Sequence, residues 1–300
     1  MTLVAAVVVT YHPSGPYVDR LQRLAAQVDR LIIVDNHSLP EVVDTLTRFC
    51  FGDDHRKLIC NYENFGIAQA LNIGIEAARQ MGMQWVLTMD QDSIVEPDLV
   101  RELLQTIEQD RQSETAGVVA ANYEDSTGRP YVKTTDEQGS DSAFETRTAI
   151  TSGSLVNVAA WQAVGGYRED FFIDSVDHDF CFRVRKAGWR ILQSRRVLMK
   201  HQLGGTTRRA NWLVVKPAIA NYGPVRRYYM SRNRVAMFKS HWKSDPGWVL
   251  RELLMIPIDM MLILVHEPGK AVKIGAMIKG VWHGVIGRMG RFEPLLIPRT

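Results

Sequence analysis

Leu3-Val4-Ala5-Ala6-Val7-Val8-Val9 is an unbroken apolar run, and its reading decides the fold. A strand with one wet face alternates apolar and polar side chains. A continuous β-branched run is buried on both faces, as in a parallel sheet covered by helices. After the turn at Pro13-Ser14-Gly15-Pro16, Val18, Leu21, Leu24, Ala25 and Val28 recur at helical spacing. Leu31-Ile32-Ile33-Val34 then repeats the buried-strand pattern. The alternation continues with a helix over 40–49, a strand over 57–60, a helix over 67–80 and a strand over 85–89. A helix over 97–110 and a strand over 117–121 follow. This order predicts an α/β fold with a mostly parallel sheet, right-handed crossovers and helices on both faces.

Farther along, 122–146 is polar and turn-rich and reads as a loop or small hairpin. Thr151-Ser152-Gly153-Ser154 is a small-residue segment flanked by short apolar pairs. A helix is expected over 177–186 with Gly188 as its C-cap. Two short strands, 190–192 and 197–199, lead to His201.

The chain of 300 residues has the hydrophobic share of a globular protein, 46%. Cys50, Cys60 and Cys181 are odd in number and lack C-x-x-C spacing, which fits a reducing cytoplasm and no zinc site. Met1-Thr2-Leu3-Val4 runs straight into a strand, so no signal peptide is expected. The net charge of +3 hides an asymmetry. Residues 1–180 carry 13 Lys and Arg against 28 Asp and Glu, a balance of −15; residues 181–300 carry 23 against 5, a balance of +18. A basic C-terminal half attracts phosphate-rich ligands or an anionic membrane face, or else neutralises the acidic half.

Ligands of open α/β sheets bind outside the carboxyl ends of the strands. Four such ends here are polar: Thr10-Tyr11-His12-Pro13, Asp35-Asn36-His37-Ser38, Glu63-Asn64-Phe65-Gly66 and Asp90-Gln91-Asp92-Ser93. The carboxylates of Asp90 and Asp92 can reach one hard cation and leave room for phosphate oxygens. The chain has no G-x-G-x-x-G after the first strand and no G-x-x-x-x-G-K-[ST], which argues against a dinucleotide fold and a P-loop.

At these loops the sequence resembles the family 2 glycosyltransferases, inverting enzymes of the GT-A fold. The matching stretches are Val8-Val9-Thr10-Tyr11, residues 33–38, residues 64–74, Asp90-Gln91-Asp92 as the D-x-D, and residues 177–183 as the acidic helix start. Together they cover about residues 3 to 205. Tyr228-Tyr229, Arg232-Asn233-Arg234 and the tail over 287–291 resemble the bacterial rhamnosyltransferase branch. The resemblance implies a Rossmann-like GT-A catalytic domain over 1–220 and a basic, amphipathic helical extension over 221–300. It also implies Mg²⁺ or Mn²⁺ as cofactor and L-rhamnose moved from dTDP-L-rhamnose to a cell-surface polysaccharide or lipid-linked precursor. Another nucleotide sugar, or sugar-1-phosphate nucleotidyl transfer, is the alternative. No nucleic-acid partner is expected.

Each residue has a candidate role. Asp35 could accept the N3–H of a pyrimidine or simply close an Asx turn, and Thr10 and Tyr11 could line the same pocket. Asn64 and Gly66 shape a turn that the resemblance puts near the nucleotide. Asp90 is expected on the donor ribose or sugar, and Asp92 on the metal; the resemblance adds His201 as a further ligand. Asp177 is the candidate general base, with Asp174 as the alternative. Gly153 and Trp189 are candidates for the acceptor or sugar pocket, although Trp189 also reads as a core residue.

The apolar stretch over 253–265 is only 13 residues long, is interrupted by Pro257 and Asp259, and is too short to span a bilayer. Ile274, Ile278, Val281, Val285 and Phe292 form one helical stripe, with Lys273, Lys279 and Arg291 away from it. This segment is expected either in a membrane interface, on the cytoplasmic face of the inner membrane, or packed on the catalytic domain or a homodimer partner.

Overall fold

The computed structural model describes residues 2–125, 128–132, 143–201, 207–209 and 218–292. The chain divides into two compact units. One comprises Met1–Glu169 with Asp177–Gln202, the other Asp170–Val176 with Leu203–Thr300.

The first unit contains strands β1 (Val4–Thr10), β2 (Arg30–Asp35), β3 (Arg56–Cys60), β4 (Trp85–Asp90), β5 (Ile94–Val95), β6 (Ala116–Glu124), β7 (Ala143–Glu145), β8 (Ser154–Asn157) and β9 (Arg190–Lys200). Its helices are α1 (Tyr17–Ala25), α2 (Pro40–Cys50), α3 (Ile67–Gln80), α4 (Leu99–Gln109), α5 (Val158–Ala163) and α6 (Val176–Lys186). The strands form one sheet in the order β3-β2-β1-β4-β8-β6-β9-β5, with β7 beside β9. β3, β2, β1 and β4 pair in parallel, as do β6 and β9. β8 joins these blocks by pairing antiparallel with both β4 and β6, while β5 and β7 run antiparallel to β9. The sheet is therefore mixed: a four-stranded parallel block and a parallel pair, joined through the antiparallel β8.

Burial on both faces is visible residue by residue. Val4, Ala6 and Val8 share a core with Leu21 and Leu24 of α1, Leu46 of α2 and Leu103 of α4. The alternate residues Ala5, Val7 and Val9 are buried as well, and Val7 lies against α3 at Gly74. Two expectations are corrected. β6 continues through Glu124, because the buried Asn122 satisfies itself inside the sheet: its Nδ2 donates to the carbonyls of Val132 and Arg195, and its Oδ1 accepts from Val132 N. The two short strands before His201 are one strand, β9, whose register against β6 shifts at its polar middle. Part of the expected 122–146 loop lies outside the described residues.

The second unit contains β10 (Thr207–Arg209), paired antiparallel with β11 (Ala218–Ala220), and three helices: α7 (Pro224–His241), α8 (Pro246–His266) and α9 (Lys270–Ile286). Arg232 of α7 is fully buried, and its guanidinium donates to the carbonyls of Asp170, Phe171 and Gly290. Asn233 shares its amide with the carbonyls of Phe171, Ile173 and Asp174, at 2.8–3.0 Å. These bonds hold a loop in which Phe172, Asp174 and Ser175 all adopt the left-handed backbone that non-glycine residues avoid.

On α9 the expected stripe faces outward. Lys273 and His283 are buried on its inner face, while Ile278, Val281 and Val285 are exposed. Lys273 donates to Glu267 at 2.7 Å, and Arg227 pairs with the same carboxylate. The apolar stretch over 253–265 is part of a longer helix, α8, that continues through Pro257.

Gly280 lets α9 press on α7. A Cβ there would stand 2.3 Å from the Tyr228 carbonyl and 3.1 Å from the Arg232 nitrogen, both backbone atoms. Gly280→Ala should therefore destabilise the protein by about 1–3 kcal/mol in urea unfolding. Gly275→Ala, with nothing within 4 Å, should be neutral or stabilise by up to ~1 kcal/mol. Equal effects at both positions would contradict this packing.

Candidate active site

Parallel pairing of β1 with β2 and β4 brings Thr10, Asp35 and Asp90 to one edge: Thr10 lies opposite Asp35, and Val9 opposite Asp90. Thr10 Oγ1 donates to Asp35 Oδ1 at 2.9 Å, and Ser38 N donates to Asp35 Oδ2 at 2.8 Å. Asp35 has no exposed surface. In this conformation it anchors the turn after β2, and a base N–H could reach it only if that turn moved. Asn36 extends the anchor: its Nδ2 donates to Asn64 Oδ1 and the Gly66 carbonyl, and its Oδ1 accepts from Asn61 and Phe65 N. Asn64 and Gly66 thus shape the loop before α3. Tyr11, by contrast, is largely exposed at the same edge.

Asp90, Asp92 and His201 each offer a ligand atom, all within 4.8 Å of one another. Two carboxylates and an imidazole form a donor set suited to Mg²⁺ or Mn²⁺. The imidazole is oriented from behind. His201 Nδ1 bonds Ser93 Oγ at 2.8 Å, and Ser93 Oγ bonds Ser152 Oγ at 2.8 Å. Ser152 Oγ also accepts from Asp90 N at 3.1 Å. Nε2 is left facing the carboxylates, 4.0 Å from Asp90 Oδ2. Burial pushes the His201 pKa down, with the charge of Asp92 opposing, so the ring tends toward the neutral, metal-ligating form. The residues present fit a divalent cation.

Gln91, between the two acids, accepts from Tyr11 N at 2.8 Å and donates back to the Tyr11 carbonyl at 3.2 Å, while Arg20 holds its carbonyl. Sequence reasoning missed Gln91, Ser93 and Ser152 as positioning residues. Their only sequence signal was adjacency to the D-x-D and the small-residue segment.

Asp177 opens the first turn of α6, and its Oδ1 accepts from His178 N and Nδ1 at 2.9 and 3.0 Å. Burial raises its pKa, but the charge and hydrogen bonds of His178 outweigh that and hold the carboxyl below its ordinary 3.8. Tyr123 packs edge-on against the His201 ring at 5.6 Å. Its phenol is raised first by burial and further by the charges of Tyr131, Asp125 and Asp177. Asp179 is buried and paired with Arg183 at 2.7 Å, as helix support. Cys181 is pushed up to about 12 by burial and offers no thiolate nucleophile.

Two pocket expectations are corrected. Gly153 is buried at a backbone joint, where its N donates to the Thr88 carbonyl and its carbonyl accepts from Ala121 N; it has no surface for a sugar. Trp189 precedes the amino end of β9, whereas His201 follows its carboxyl end, so the 11-residue strand separates them by roughly 30 Å. Asp174 lies in the second unit, where Arg226 holds its Oδ1 at 3.0 and 3.2 Å.

The sequence profile of Glycosyl transferase family 2 matches residues 6–181, more than half of the chain. The chain belongs to glycosyltransferase family 2. It is 26% identical over 299 residues to the dTDP-rhamnosyl transferase RfbF of Shigella flexneri, covering 95% of this chain and 96% of that one. A glycosyltransferase-like protein of Arabidopsis thaliana is 39% identical over 77 residues, 25% of this chain and 17% of that one. Among solved structures, TarS 1–349 of S. aureus in complex with UDP superposes with a TM-score of 0.54 at 14% identity, covering 98% of this chain and 94% of that one. Its complex with UDP-GlcNAc gives 0.54 over 95% and 73%. Against a longer TarS chain the match covers 79% of this chain and 40% of that one. These likenesses show the GT-A fold in this family 2 enzyme.

Ser93→Ala should leave the fold intact and weaken Mn²⁺ binding about 10–100-fold in calorimetric titration, because the imidazole loses its orienting partner. Unchanged affinity would remove Ser93 from the site's support.

Proposed function

We propose that this enzyme transfers L-rhamnose from dTDP-L-rhamnose, with inversion, onto a cell-surface polysaccharide or lipid-linked glycan precursor at the inner face of the bacterial inner membrane. The observation that carries the reading is the near full-length match to a dTDP-rhamnosyl transferase, combined with the Asp90, Asp92 and His201 cluster at the strand edge. Asp92 and His201 would hold the divalent cation, with Asp90 beside it on the donor side. When bound, such a cation would supply charge neutralisation to the leaving diphosphate. Thr10, Tyr11 and the Asn64–Gly66 turn form the nucleotide side of the crevice, with Asp35 as the anchor beneath them.

Asp177 takes the proton of the acceptor hydroxyl as that oxygen attacks the anomeric carbon opposite the diphosphate. Held below its ordinary pKa, it is ready as a carboxylate at neutral pH. Asp174 suits the role less, since Arg226 occupies its Oδ1. Use of another nucleotide sugar is the second reading, because the TarS protein of the same fold is described with UDP-GlcNAc.

The test is a donor screen: dTDP-rhamnose, UDP-GlcNAc, and dTTP with rhamnose 1-phosphate. dTDP release from dTDP-rhamnose supports the reading, and pyrophosphate release from dTTP overturns it. Asp177→Asn should lower transfer by about 10²–10⁴-fold while leaving donor affinity within about threefold. A variant that turns over like wild type would remove Asp177 from the base role. His178→Ala should move the acid limb of kcat/KM to higher pH, since the imidazole's charge and side-chain hydrogen bond no longer oppose burial of Asp177 and only backbone hydrogen bonds do. An unmoved limb would show that another group sets it.

A further inference from the structure

Helices α8 and α9 are built inside out. On α8, Leu250, Leu254, Ile258, Met261 and Val265 follow one another at three- and four-residue steps and are 38–63% exposed. On α9, Ile278, Trp282 and Ile286 do the same at 53–66%. The acids turn inward instead: Glu252 and Asp259 reach Arg234 at 3.3 and 3.1 Å, and the buried Glu267 pairs with Lys273 and Arg227. A helix surrounded by water has the opposite arrangement. Apolar faces of this length mark a contact surface.

Charge decides what covers it. From Pro224 to Phe292 no Asp or Glu is exposed, whereas Arg251, Lys270, Lys279, Arg288 and Arg291 are. Two copies of such a face would bring like charges together, while an anionic lipid surface complements both the cations and the apolar stripe. Trp242 and Trp282 are exposed, and indole favours the headgroup layer. No helix of the described residues is long and apolar enough to cross a membrane. The 21 residues of α8, about 31 Å of helix, are therefore suited to lying in the membrane plane.

We propose that the outward faces of α8 and α9 dock in plane on an anionic phospholipid bilayer. The proposal deepens the reading of a lipid-linked acceptor by naming the surface that brings the enzyme to it. The full chain should float with phosphatidylglycerol–phosphatidylethanolamine vesicles and do so at least tenfold less with phosphatidylcholine vesicles. Leu254→Glu with Trp282→Glu should cut flotation at least tenfold with unchanged thermal unfolding. Should that pair misfold, Lys270→Glu with Lys279→Glu tests the charge contribution alone, with a severalfold loss expected. Wild-type protein that stays unbound overturns the proposal, as does a folded variant that floats equally. So does wild-type protein that sedimentation shows to be a dimer dissociated by these substitutions. dTDP binding measured on the same samples separates the two ideas. Intact nucleotide binding without flotation removes only the docking surface, and absent nucleotide binding removes the proposed function.

Discussion

Two-sided burial of β1 is the constraint on which the first unit depends. A strand with no wet face must have helices on both sides and neighbours on both edges, and here both neighbours run parallel to it. Parallel pairing sends every connecting loop across the sheet and returns each strand end to the same edge. Thr10, Asp35 and Asp90 are neighbours for that reason, although 80 residues separate the first from the last. The chemistry is then refined by small polar residues. Gln91 ties the acidic loop to β1, and the Ser152–Ser93–His201 chain aims an imidazole from the far end of β9.

The second unit has its own anchor. Arg232 is buried, and carbonyl oxygens, Asn233 and the faces of Tyr228 and Tyr229 surround its charge. With Asn233 it fixes the backbone of residues 170–174, where left-handed non-glycine residues would otherwise relax. That segment runs directly into Asp177 along the chain.

Much of the fold was legible because β-branched runs and 3.6-residue periodicity report burial directly. The antiparallel direction of β8 was not, since a strand of four residues carries the same composition either way. Asn122 read as loop because its polarity is visible in the sequence and the four hydrogen bonds that satisfy its amide are not. The α9 stripe was found at the right spacing, but the sequence left open which side it faces. Amphipathicity marks two faces without saying which is inward, and the buried Lys273–Glu267–Arg227 cluster reverses the usual choice. At the site, carboxylates at strand ends were readable from spacing. Trp189 failed because the sheet edge that the amino end of β9 occupies depends on strand direction.

The central claim is that the edge formed by Asp90, Asp92 and His201 holds a nucleoside diphosphate through a divalent cation. A crystal structure with dTDP and Mn²⁺, read by the anomalous signal of manganese, tests this most directly. The account predicts one manganese coordinated by Asp92 and His201, with the diphosphate on it and the base toward Thr10 and Tyr11. Manganese bound elsewhere, or a diphosphate away from that edge, would contradict it.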